Sequence, residues 1–320
     1  MFVGKALITA GLLALVLRAV DMDQVWARVQ AFSFFFLVPL AAVMIGQTVV
    51  TTVRWRLVMA ALDVAIGFTK AWAILMIGMF FNQSLPSTIG GDVARIWRVH
   101  CEGHGLGKSA NVVLVDRVMA LVGLLVLVAP ALPIVYAMGQ GTSAGAIVLS
   151  MAAAVALVTL GMGLFFAAPG LPAWLGRWRP LRVLAELTSD ARRLVADPGR
   201  ALMVTGIAVI VHGLSASAVF VLALGFRIDV TWLECLLLVP TVILVMVLPI
   251  SIAGWGLREG AMVSAFALVG VSAEDALVLS LGFGFASVVV GLPGAFIWML
   301  TGGSHASDHS VPAGSSPAPP

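Results

Sequence analysis

The chain has 320 residues, 61% of them hydrophobic and 10% charged, with a mean hydropathy of +1.09 and a net charge of +3. A soluble domain carries about 25% charged residues, so a soluble enzyme or regulator is excluded. No basic, aromatic-bearing soluble segment exists to bind nucleic acid, so none is expected as a partner.

The apolar runs lie at about 4–20, 32–53, 71–85, 111–138, 144–168, 201–225, 230–248, 257–270 and 275–300. Several reach the roughly 20 residues that a helix needs to cross a bilayer. The short alternating segments of a membrane barrel are missing. The fold class predicted is all-α: a polytopic membrane helix bundle of about six full spans plus two re-entrant or broken helical hairpins. Residues 4–20 follow Lys5 but precede no small-residue cleavage site, which predicts an uncleaved first span. Residues 181–196 place Leu181, Leu184, Leu187, Ala191 and Leu194 on one helical side, with Arg182, Glu186, Asp190 and Arg193 on the other. This is an amphipathic helix for the cytoplasmic surface, bridging the two halves. Residues 1–300 form one membrane domain. Residues 301–320, rich in Ser, Gly, Pro and Ala, form a disordered tail.

Basic residues set the orientation. Arg54, Arg56 and Lys70 form one cluster, Arg95, Arg98 and Lys108 a second, and Arg177, Arg179, Arg182, Arg192, Arg193 and Arg200 a third. Placing these inside with Lys5 puts both termini in the cytoplasm and leaves Arg18, Arg28 and Arg227 outside. The chain is then inside before residue 71 and again by about residue 98. A helix over 71–85 spans only about 22 Å at 1.5 Å per residue. This predicts a hairpin: a half helix in, a turn at "LPSTIGG" (85–91), a short helix out. Irregular backbone at that depth survives only where protein or water covers it.

The stretch "LPISIAGWGLRE" (248–259) echoes the first break. Leu85-Pro86 matches Leu248-Pro249, Ile89 matches Ile252, Gly91 matches Gly254, and Arg95 and Arg258 each lie nine residues after a proline. The same count makes 230–270 a second hairpin, entering from the opposite face and closing at "SAED" (272–275). Two such elements suggest an inverted-repeat transporter. An alternative in which 230–248 crosses fully stays open.

At each break proline removes a donor, glycine permits close approach, and a new helix begins near Asp92 or Gly256. A helix N-terminus attracts anions. Arg95 and Arg258 add full charges suited to bidentate phosphate contact. Asp116 and Arg117 lie inside an apolar span, where each costs about 2.5–3.5 kcal/mol on insertion scales. They are expected to face the interior and pair with the hairpin charges. The candidate substrate-binding residues are Asn82, Ser87, Gly90, Gly91, Asp92, Arg95, Asp116, Arg117, Gly254, Arg258 and Glu259. Arg95, Arg258, Arg117 and the glycine N–H groups would hold phosphate in one shared hollow, with Asp92, Asp116 and Glu259 balancing charge or coupling to protons.

Other features carry less. "GHGLGKS" (103–109) lacks the phosphate-loop spacing and reads as a cytoplasmic loop. His100, Cys101 and His104 are too few for a metal site, and no metal or other cofactor is expected. Cys101 reads as a loop thiol, Cys235 as an apolar filler and His212 as a packed, hydrogen-bonded residue. Trp26, Trp55, Trp72, Trp174 and Trp178 suit interfacial anchoring. Without a nucleophile or nucleotide-binding domain, catalysis is not expected.

The motifs "NQSLPSTIGGDVAR" (82–95), "GKSA" (107–110) with "VDR" (115–117), and Pro249 with "GWGLREG" (254–260) resemble the transmembrane region of lysylphosphatidylglycerol synthases, the flippase-like domain family. The resemblance runs to about residue 300. It implies a domain that moves aminoacylated phosphatidylglycerol or a lipid-linked sugar between leaflets of the inner cell membrane, here without the synthase domain. The expected partners are a membrane phospholipid or lipid-linked glycan. The alternative is a non-transporting domain that presents a lipid carrier to a partner glycosyl- or lipid-transferase.

Overall fold

A computed structural model describes residues 11, 14, 20–84, 90–139, 145–167, 179–247 and 255–301, and among these every regular element is helical. In chain order they are α1 (Met22–Gln30), α2 (Leu37–Ala61), α3 (Phe68–Ser84), α4 (Gly90–Cys101), α5 (Leu106–Gly139), α6 (Gly145–Ala167), α7 (Arg179–Val195), α8 (Pro198–Phe226), α9 (Trp232–Met246), α10 (Leu257–Phe266) and α11 (Ala273–Thr301). Single 3-10 turns at Phe34–Phe36 and Ala267–Val269 complete the set. The stretches Phe34–Ala61, Leu106–Ala137, Pro198–Phe226 and Ala273–Thr301 are long and apolar enough to cross a membrane. The expected span 144–168 appears as α6, 23 residues or about 34 Å. The expected first span and the tail fall outside the described residues, apart from residues 11, 14, 20 and 301.

Local chemistry sets the helix ends. The Asp21 side chain accepts the Asp23 N–H at the start of α1. Asp197 accepts from Arg200 N–H before α8, and Pro198 opens that helix, where a missing donor costs nothing. Arg227 closes α8 in the left-handed region, φ 58°. Thr231 and Glu234 form a reciprocal capping box on α9. Leu106 is already helical, so Gly107-Lys108-Ser109 is the first turn of α5 rather than a loop.

The hairpins are placed by α11, about 43 Å long. Gly294 meets Met76 and Gly291 meets Phe80, so α3 runs antiparallel to the C-terminal half of α11. Continuing that pairing sets Ser84 level with about residue 287, some 21 Å short of the start of α11. α4 returns against α3, with Gly91 on Gly78 where no side chain would fit between the backbones. The described end of α3 therefore reaches only half-way along α11.

The second hairpin comes from the other end. α9 starts just after α8, where the Trp232 indole donates to Ser217 Oγ at 3.0 Å. Its 15 residues reach about 22 Å. α10 sets Arg258, in its first turn, against Ser280 and Gly284 of α11, and returns to the Gly270 turn that leads into α11. It thus starts roughly 10–16 Å along α11, not at its far end. The fully crossing alternative for 230–248 does not fit this placement. The breaks themselves, 85–89 and 248–254, lie outside the described residues.

Polar contacts label the two ends of the bundle. Arg28 pairs with Asp275 at 2.8 Å, and Asp21 N–H donates to Glu274 at 3.3 Å. At the opposite end Lys70 pairs with Glu102 at 2.7 Å, and Arg98 reaches the Thr301 carbonyl. α7 lies at that second end. Leu187, Ala191 and Leu194, at helical spacing, are buried in a core with Val58, Met59 and Leu62, and Asp190 accepts from Asn111 at 2.7 Å. As expected, it joins helices from both halves: α2, α5, α6 and α8.

Candidate functional site

Five charged side chains from α2, α4 and α5 form one network. Asp116 bridges two arginines: Arg54 at 3.0 Å and Arg95 at 3.0 Å, with all three side chains almost fully buried. Arg95 also lies 4.0 Å over the Trp55 ring. Asp92 takes Arg117 bidentately, with Nε at 3.0 and 3.1 Å and Nη2 at 2.8 Å, and lies 3.8 Å from Arg95. Three cations face two anions, so the network keeps one net positive charge. The expectation that Asp116 and Arg117 pair with the hairpin charges holds.

Arg117 is the open member, with its side chain 48% exposed. It sits eleven residues into α5, about 16 Å from the helix start. A charge at that depth is tolerated only beside water, another charge or a polar ligand.

Arg258 forms a second network. It donates to Glu259 Oε1 at 2.7 and 3.1 Å and to Ser280 Oγ at 3.1 Å, and stacks 4.8 Å from Trp255. Gly284 supplies the space for its guanidinium. No described contact joins this network to the first.

That arrangement corrects the expected single hollow. Arg95 and Arg258 each face their own carboxylate, because burial without a counter-charge costs more than the pair does. The large apolar cavity, about 600 Å³, lies on another face of α11, among Phe32, Leu40, Met44, Leu222, Phe226 and Val278. It carries no charged residue among its described lining.

The glycine donors also differ from expectation. Gly91 N–H donates to Asn82 Oδ1 at 3.1 Å, and Gly256 N–H to Glu259 Oε2 at 2.6 Å. In a medium without water, donors at the helix starts are satisfied internally, and these two are not free for phosphate. α4 begins at Gly90, two residues before the expected start, so Arg95 sits in its second turn. Ser87 and Gly254 lie outside the described residues.

Two residues assigned to the surface belong to the site. The sequence places Arg54 in a cytoplasmic cluster and Trp55 among interfacial anchors, yet both are buried, against Asp116 and Arg95 respectively. The legible signal is a polar band, Gln47, Thr48, Thr51, Thr52 and Arg54, on one face of an apolar helix. His212 is packed as expected, its Nε2 3.1 Å from the Ala120 carbonyl. Cys235 is buried apolar filler, and Cys101 ends α4.

A family model describing the lysylphosphatidylglycerol synthase TM region matches residues 2–294. The chain belongs to this family. It is a membrane domain of the kind found in a lipid synthase, and the match spans both hairpins and both ion networks. No curated protein and no solved structure matches it.

Proposed function

We propose that this flippase-like domain moves a phosphate-bearing lipid between the two leaflets of the cytoplasmic membrane. The lipid is an aminoacylated phospholipid or a polyprenyl-phosphate-linked sugar. The headgroup passes the hairpin ends while its hydrocarbon chains stay in lipid.

The observation that carries this reading is the half-exposed Arg117, held about 16 Å along α5 beside the first turn of α4. Asp92 offsets part of the cost of that charge, and the exposed remainder of the guanidinium calls for water or a polar visitor. The net positive charge of its network selects an anion. Two oppositely directed hairpins meeting α11 near its middle are the geometry of alternating access. The proposed orientation has the Lys70–Glu102 end in the cytoplasm, following the basic-residue count.

The test is reconstitution of the full chain in vesicles holding fluorescent phosphatidylglycerol or a fluorescent prenyl-phosphate sugar. Headgroup exchange between leaflets faster than in protein-free vesicles is expected, and slowed in Arg117→Ala. Exchange no faster than in empty vesicles for either lipid class overturns the proposal.

A further inference from the structure

The two carboxylates of the first network hold their arginines differently. Asp116 is sealed between Arg54 and Arg95, its side chain 2% exposed. Asp92 is 14% exposed and grips the one open cation, Arg117, through both oxygens. A bidentate carboxylate on a guanidinium occupies the positions that two phosphate oxygens would take. Asp92 also stands in the first turn of α4, where a negative charge is stabilised by the helix end without any side-chain partner.

Resting on the lipid-phosphate reading above, we propose that Asp92 is a resident anion that occupies the headgroup's place on Arg117, so that a lipid phosphate loads by displacing it. Three observations fit together. Asp92 keeps a second anchor when released, because Arg95 Nη1 lies 3.8 Å away. Arg95 Nε, buried and without a hydrogen-bond partner among the described residues, leaves that guanidinium with an unused donor. The backbone that carries Asp92 is fixed independently of Arg117, by Gly91 packed on Gly78 and bonded to Asn82. The side chain can therefore swing without moving the hairpin.

A built-in competitor makes a specific demand. It weakens binding of the anion and shortens its stay, which suits a carrier that must release cargo on the far side. Removing its charge has the opposite effect from removing a substrate ligand: binding tightens.

The experiment measures affinity of the purified full chain for fluorescent phosphatidylglycerol in a phosphate-free detergent, with fluorescent diacylglycerol as the uncharged comparison. Asp92→Asn is expected to bind phosphatidylglycerol about tenfold more tightly than wild type, as loss of one competing close charge pair implies. Diacylglycerol binding stays unchanged, and Asp92→Glu, which keeps a carboxylate in reach of Arg117, stays close to wild type. If wild type binds and Asp92→Asn binds equally or more weakly, this inference fails and the transport reading stands. If neither binds phosphatidylglycerol, or a fluorescent prenyl-phosphate sugar tried in its place, better than diacylglycerol, both fall.

Should Asp92→Asn not fold, solid-state NMR on the wild-type chain decides. Phosphorus of bound phosphatidylglycerol is expected to dephase an arginine Cζ signal that disappears in Arg117→Lys. Bound lipid without that dephasing overturns the inference.

Discussion

Asp116 and Arg95, on adjacent helices, close a 3.0 Å ion pair that also receives Arg54, so one carboxylate holds three helices. With Gly91 packed on Gly78, that knot sets the face that α4 turns toward α5.

Replacing Asp116 with Ala strands the buried Arg54 and leaves Arg95 only the longer contact to Asp92. Loss of one partner from a buried pair costs about 3–5 kcal/mol. A loss of at least about 3 kcal/mol is expected in denaturant unfolding of the detergent-purified chain. An unchanged midpoint means that Arg54 has another counter-charge and that Asp92 alone suffices for Arg95.

Two glycines on α11 separate contact from permission. A Cβ at Gly294 collides with the Met76 carbonyl, which is backbone of α3 and cannot turn aside. At Gly291 the nearest atom is Phe80 N at 3.5 Å, an ordinary contact. Gly294→Ala should cost about 1–3 kcal/mol, and Gly291→Ala about 0.5 kcal/mol or less. Equal effects in thermal unfolding would contradict the antiparallel register of α3 and α11.

The two ends of the bundle are separable by thiol labelling. In a Cys101→Ala background, Glu274→Cys is expected to react with a membrane-impermeant maleimide on intact cells. Native Cys101, half-buried beside the Lys70–Glu102 end, should react only after permeabilisation. Labelling in the reverse order inverts the proposed orientation.

Acid should loosen the start of α1. The Gln24 amide and then the Asp23 N–H hold the Asp21 carboxyl below its ordinary value of 3.8. The folded value is depressed, so the cap's contribution is fully present above 3.8 and is lost as pH falls through the lower folded value. A lower protection factor at the Asp23 amide in Asp21→Ala at neutral pH, matched by wild type only in strong acid, is the expected pattern. Equal exchange in both at neutral pH removes the cap from the account.

The long helices were legible from length and hydropathy, and the short helices flanking both breaks from run length together with the basic-residue count. The pairing of Asp116 and Arg117 with Arg95 and Asp92 was legible because charges at depth must find one another. Arg54 and Trp55 were not. "VRWR" at the end of an apolar run looks like an interface, and only the position of Asp116, 62 residues away, draws Arg54 inward. The uses of Gly91 and Gly256 N–H were equally hidden, since Asn82 and Glu259 claim them only once the chain has turned. The expected meeting of Arg95 and Arg258 failed for a related reason. Matching motifs predict matching elements, but each arginine takes the counter-charge its own neighbourhood supplies, one from α5 and the other from the next residue.

α11 serves the hairpins in series, bracing α10 up to Gly284 and α3 from about residue 287 onward. Adding a single residue between those stretches would rotate one bracing surface against the other by about 100°. Both halves would keep their own folds, yet α3 and α10 would lose their setting relative to each other, and the helix would become a shaft with its gears out of phase.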